Sequence, residues 1–134
     1  MNHKPSVLFE QSGVIPYRRR EDLVDALLIT SSDGRRWGIP IGMVEPNMTP
    51  AESAAKEAFE EAGIKGRVHL ESVGAYSYEK WGGTCRVEVF LMEVEEESDV
   101  WPEMELRKRQ WVSTAEAVER VQEPGLKKML ATVA

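Results

Sequence analysis

Glu57, Glu60 and Glu61 are related by steps of three and four residues, so on a helix their carboxylates can converge. The sequence predicts such a helix over 49–62. Thr49 is a good N-cap, Pro50 falls at the first helical position, and Glu52 completes a capping box. Gly63 supplies the stop. At about 100° per residue, Ala51, Ala55, Ala58, Phe59 and Ala62 form an apolar stripe for packing on a sheet. Ser53, Glu57, Glu60 and Glu61 gather on roughly the opposite side. Like charges at this spacing cost about 0.2–0.5 kcal/mol. Glutamates near a helix C-terminus also oppose the dipole, at about 0.3–1 kcal/mol each. The placement therefore costs on the order of 1–2 kcal/mol, a sign that a bound divalent cation would reverse. Carboxylate oxygens suit magnesium or manganese rather than zinc. From the helix alone two readings stand side by side, a solvated acidic face and a cation site.

The elements around this helix read as one small α/β domain over residues 1–134. The first six residues are polar and contain proline, and read as a loose end. Val7–Tyr17, broken by Gly13 and Pro16, reads as a bent strand, and Leu23–Thr30 as a buried strand closed by the turn 31–34. The stretch 37–44 is apolar but carries Gly38, Pro40 and Gly42, which excludes a helix. Val68–Tyr78 and Thr84–Glu93 read as strands joined in a hairpin around Trp81-Gly82-Gly83. A short strand over 110–112 follows. Ser113 with Glu116 then opens a helix that Pro124-Gly125 interrupts before 126–132. Strands mixed with helices predict a layered α/β architecture with a mixed sheet.

Composition bounds the partners. The net charge of −6 argues against general binding to nucleic acid or an anionic membrane. Arginines nevertheless cluster at 18–20, at 35–36 and around Lys108, either as solvated strand ends or as local anion sites. One cysteine, Cys85, allows no internal disulfide and fits a reducing compartment, with the cytoplasm the expected location. His3 and His69 lie too far apart in sequence to suggest a zinc site. No apolar run is long enough to span a membrane.

The stretch 42–64 resembles the Nudix box, whose pattern is Gly, five residues, Glu, seven residues, then Arg-Glu-apolar-x-Glu-Glu-x-Gly-apolar. Gly42, Glu57, Ala58, Glu60, Glu61, Gly63 and Ile64 fall in register, as do Val44-Glu45-Pro46 and Pro50, which are common in members. Met48 stands where the pattern has its first Glu, and Lys56 where it has Arg. In the family that Arg helps orient the neighbouring glutamate, and Lys lacks its bidentate fork. Ile41 stands where members often carry Lys or Gly. These departures bear on rate and substrate range rather than on the primary carboxylates.

The resemblance implies a Nudix fold, a mixed β-sheet sandwiched between helices. It also implies magnesium-dependent hydrolysis (manganese as a substitute) of a small-molecule phosphoanhydride. Glu57, Glu60 and Glu61 would hold the metal with the backbone carbonyl of Ile41, and Lys56 would stand beside them as part of the catalytic set. Outside the box, 11–18, 28–32, 36–40, 101–103 and 107–112 look like bacterial relatives of diphosphoinositol polyphosphate and diadenosine polyphosphate hydrolases. In that group basic residues meet the polyphosphate, which points to Arg18, Arg36, Arg86 and Arg107. The general base is either a box glutamate or one outside the box, and Glu79 and Glu88 are candidates for a supporting carboxylate. Trp37, Tyr76, Tyr78 and Trp81 are candidates for stacking a nucleobase. Homodimers are common in the family. The departures at 48 and 56 leave a second reading, a Nudix-fold module that binds a nucleotide or phosphorylated ligand with little hydrolysis. A chance acidic helix on a structural domain is the third.

Overall fold

In a computed structural model, which describes residues 7–133, the longest strands are the ones with the longest runs of apolar and β-branched residues. They are β1 (Leu8–Arg20), β2 (Leu23–Thr30) and β7 (Gly83–Glu97). Between them come β3 (Trp37–Gly38), β4 (Ile41–Met43), α1 (Pro50–Ala62), β5 (Ile64–Val68) and β6 (Gly74–Lys80). After β7 follow β8 (Arg109–Ser113), α2 (Thr114–Arg120) and α3 (Pro124–Thr132). The loose end expected over the first six residues, with His3, lies outside the described residues.

The sheet runs β3-β2-β1-β7-β5, with β4 against β1, β6 against β7 and β8 against β2. β1 and β7 pair in parallel from Leu8↔Thr84 to Tyr17↔Glu93, and every other pair is antiparallel. The expected mixed sheet is present. β1 changes partner along its length, taking β4 through Gln11–Gly13 and β2 through Tyr17–Arg20. Pro16, which has no N–H to donate, falls in the changeover.

Alternation along the three long strands builds two cores. Ile15, Ala26, Leu28, Val87 and Val89 meet α2 and α3 through Ala117, Leu126 and Leu130. Val14, Leu27, Ile29, Phe90 and Met92 meet α1 through Ala54, Ala58 and Ala62. Strands covered on both faces read as continuous apolar runs, as Leu23–Thr30 does.

Three expectations need correction. The strand predicted over 68–78 is two elements, because the chain turns between Val68 and Gly74, where Gly74 takes a positive φ of 146°. β5 itself was not expected, since Gly66 weakens its pattern. There the ladder bulges at Lys65/Gly66, and a Cβ on Gly66 would lie 2.0 Å from the Glu93 carbonyl oxygen. Finally, the packing face of α1 is rotated. Ala54 is fully buried in place of Phe59, and Ser53 and Glu61 are buried rather than solvated. At about 100° per residue, Glu61 lies only some 20° from Ala54 around the helix. It therefore belongs to the edge of the packing face.

Candidate active site

Helix α1 begins as its sequence requires. The Thr49 hydroxyl accepts from the Glu52 N–H, and the Glu52 carboxylate accepts from the Thr49 N–H. Gly63 closes it in the left-handed region at φ 68°. The preceding loop is fastened to the same helix. The Glu45 N–H donates to Ser53 Oγ at 3.0 Å, and Lys56 Nζ reaches Glu45 Oε1 at 2.8 Å.

Strand β4 brings Gly42 against Glu57. A Cβ at position 42 would lie 2.3 Å from the Glu57 carboxyl carbon, so only glycine leaves room for this side chain. The Ile41 N–H donates to Glu61 Oε1 at 3.3 Å. The Glu57 and Glu61 carboxyls are hydrogen-bonded to each other, a contact that lowers the pKa of Glu57 and raises that of Glu61. Burial pushes both carboxyls up, Glu61 to about 8; Arg107, 3.7 Å from Glu61 Oε2, opposes the rise at Glu61, where the charge of Glu57 adds to it, and at Glu57 the charge of Glu60 adds to it. Glu60 behaves differently. It faces Lys56 Nζ at 3.1 Å, on the more exposed side of the helix. Glu45 and Glu60 together raise the Lys56 ammonium above its ordinary range. Among the described residues no three His, Cys, Asp or Glu side chains converge as a ready-made metal group. Glu57 and Glu61 are together, and Glu60 is held away by its lysine.

The two paired glutamates line a cleft of about 610 Å³. Its walls come from the turn after β2, from β3, β4 and β6, and from the α2–α3 connection. Of the expected basic residues, Arg36 and Arg107 line it and Arg18 and Arg86 do not. Arg18 instead pairs with buried Asp25 and lies over the Trp111 ring at 4.3 Å. Arg86 faces Glu10 across the β1–β7 ladder at 3.9 Å. Of the supporting carboxylates, Glu79 lines the cleft and Glu88 does not. Trp37, Tyr76, Tyr78 and Trp81 all line it. Tyr76 and Tyr78 stack at 6.4 Å, and the Tyr78 hydroxyl donates to Gln11 Oε1 at 2.7 Å. Burial pushes that phenol up to about 12, which keeps it a donor.

Arg35, expected only as part of the 35–36 cluster, lines the cleft, as do Lys80, Gln11 and Glu123, which the sequence did not single out. Arg35 and Lys80 neighbour singled-out residues, but nothing in one sequence says which way each side chain turns. Glu103 was missed too. Its carboxylate accepts from Arg107 Nε at 2.8 Å, near enough to Glu57 and Glu61 to raise both.

The NUDIX domain family matches residues 10–133. Nudix hydrolase 16, mitochondrial, of Arabidopsis thaliana is 34% identical over 89% of this chain and 76% of its own length. Diphosphoinositol polyphosphate phosphohydrolase 2 of Rattus norvegicus is 33% identical over 78% of this chain and 58% of its own. Two further Arabidopsis relatives are covered over 64% and 62% of their length, so the chain spans under two thirds of several curated relatives. In structure, an Ap4A hydrolase of C. elegans superposes with a TM-score of 0.80 at 23% identity, over 92% of this chain and 93% of that one. That likeness concerns the fold. No helix among the described residues is long and apolar enough to cross a membrane.

Proposed function

Because the chain belongs to the Nudix family, as the domain match over residues 10–133 shows, we propose that residues 1–134 act as one catalytic domain. It would hydrolyse a phosphoanhydride bond in a nucleotide-linked or polyphosphate substrate. The observation that carries this reading is the hydrogen-bonded Glu57–Glu61 pair on the floor of a cleft with aromatic and basic walls.

Nudix hydrolases use divalent metal ions, and the donor chemistry here fits one. A buried carboxyl against a half-buried one is a costly arrangement, and a hard cation between them relieves it. Glu57, Glu60 and Glu61, with the Ile41 carbonyl, are the proposed holders of magnesium. When bound, the ion neutralises phosphate oxygens and lowers the pKa of water beside them. The remaining work belongs to the chain. Arg36 and Arg107 meet phosphate oxygens, which guanidinium groups suit, and Lys56 holds Glu45 and Glu60 to one side. Glu79 is the proposed proton acceptor, because it lines the cleft while Glu88 does not.

The lining favours one of the two substrate classes suggested by the relatives. With Glu57 and Glu61 taken up by the cation, Asp33, Glu79 and Glu123 stand against Arg35, Arg36, Lys80 and Arg107, so three carboxylates face four cations. A densely phosphorylated inositol would need a larger cationic excess. A diadenosine polyphosphate needs few cations and gains from Trp37, Tyr76, Tyr78 and Trp81, at about 1–3 kcal/mol per stacked base. A reducing compartment such as the cytoplasm suits the free, buried Cys85.

The second reading, a binding module, is favoured by Glu60 being held by Lys56 rather than beside the pair. Magnesium-supplemented turnover of a panel of dinucleoside polyphosphates, nucleotide sugars and diphosphoinositol phosphates separates the two. Product release from a dinucleotide supports the enzyme, and ligand binding without turnover refutes it.

A further inference from the structure

Helix α1 has no basic residue in its last turn, although Glu60 and Glu61 stand at its negative end. The segment after β7 supplies what the helix lacks. The Ser98 N–H donates to the Gly63 carbonyl at 2.8 Å. Trp101 Nε1–H donates to the Glu61 carbonyl at 3.0 Å, and the Glu103 N–H to the Glu60 carbonyl at 3.0 Å. Arg109 Nη1–H donates to the Ala62 carbonyl at 2.8 Å. Helix ends ordinarily leave their last carbonyls to water or to a glycine turn. Here the carbonyls of Glu60, Glu61 and Ala62 each have a donor from this one later segment. The Arg109 guanidinium lies 4.0 Å over the Trp101 ring, so the two side chains fix each other. Gly63 permits the approach, since a Cβ there would sit 2.9 Å from both Arg109 Nη1 and Trp101 Cβ.

We propose that residues 98–109 form a positioning clamp on the carboxylate helix. Trp101 and Arg109 are the positioning residues that hold its last turn while Glu60 and Glu61 carry a cation. The proposal rests on the reading of those glutamates as cation holders. Clustered negative charge at a helix end favours fraying, and a frayed turn scatters its side chains. Cation affinity then falls with the fraction of molecules in which the turn is formed. The clamp raises that fraction before any cation arrives. Neither Trp101 nor Arg109 lines the cleft, so the effect is separable from substrate contact.

The test uses Trp101→Phe, which keeps the ring but removes the donor, and Arg109→Lys, which keeps a charge but loses the planar fork. Backbone amide exchange is measured in the cation-free protein, with magnesium affinity by calorimetry and kcat and KM in turnover. Loss of one hydrogen bond predicts about fivefold faster exchange confined to 60–64. Magnesium Kd should rise, by up to about fivefold, and kcat should fall while KM is unchanged. Exchange in β1 and β7 should not move. Glu61→Gln is the reference. If it abolishes magnesium binding while both clamp variants bind magnesium as the parent does, the clamp is overturned and the cation reading survives. If Glu60→Gln and Glu61→Gln both leave magnesium affinity unchanged, the cation reading falls, and the clamp's purpose with it.

Discussion

Replacing Glu61 by Gln should stabilise the cation-free protein at alkaline pH and destabilise the magnesium-loaded one relative to the parent. Burial and the neighbouring Glu57 hold the Glu61 carboxyl protonated up to about pH 8, against an ordinary value of 4.5. Between those pH values the folded chain binds a proton that the unfolded chain has released, so stability falls as pH rises through that window. Each tenfold change in proton affinity is worth about 1.4 kcal/mol, which sets an upper bound of ~5 kcal/mol by pH 8. Glu57 shares the proton, and Gln forfeits the contact with Arg107. A net gain of about 1–3 kcal/mol at pH 8 is the expected remainder, vanishing toward pH 4.5. For a chain of this size that is a Tm higher by about 5 °C or more, read by calorimetry in the presence of a chelator. Adding magnesium at about 1,000 times its Kd should raise the parent by about 4.1 kcal/mol and the variant by much less, so their order reverses. A Glu61→Gln protein that is less stable than the parent at pH 8 without metal would refute the reasoning. Glu61 would then be a structural partner of Arg107, not a strained cation holder.

Gly42→Ala should keep the fold, judged by circular dichroism, yet cut turnover and magnesium-induced stabilisation at least about tenfold. The new Cβ would occupy the place of the Glu57 carboxyl, 2.3 Å away. Trp37→Ala should raise KM for a dinucleoside polyphosphate about tenfold with a smaller change in kcat, since about 1–3 kcal/mol of stacking is lost. An unchanged KM would remove Trp37 from the binding wall. Gly66→Ala meets backbone, the Glu93 carbonyl oxygen at 2.0 Å, and should cost about 2–4 kcal/mol in urea unfolding. Its activity at saturating substrate should stay near that of the parent below the unfolding transition.

The sequence was most informative where chemistry depends on neighbours along the chain. The capping box at Thr49 and Glu52, the glycine stop at 63 and the buried strand Leu23–Thr30 all depend on local geometry, and all are present. The spacing of Glu57, Glu60 and Glu61 predicted a convergent set on the same grounds, but the structure brings only Glu57 and Glu61 together and leaves Glu60 on Lys56. What the helix alone misplaced was its rotation against the sheet. That depends on Leu27, Ile29 and Phe90 on distant strands, which draw in Ala54 and carry Glu61 with it. β5 was missed because its strand character lies in its pairing with Val94 and Glu93, not in Ile64–Val68 itself. The arginines divide in the same way. Residue type said that Arg18, Arg36, Arg86 and Arg107 could bind an anion. Only the tertiary structure turned Arg36 and Arg107 toward the cleft and gave Arg18 to Asp25 and Arg86 to Glu10. Caps, periods and motif spacing act over one or two helical turns, so the chain's order encodes them directly. Which carboxyl is buried, which cation faces it and which later segment closes a helix are settled by contacts between residues far apart in the chain.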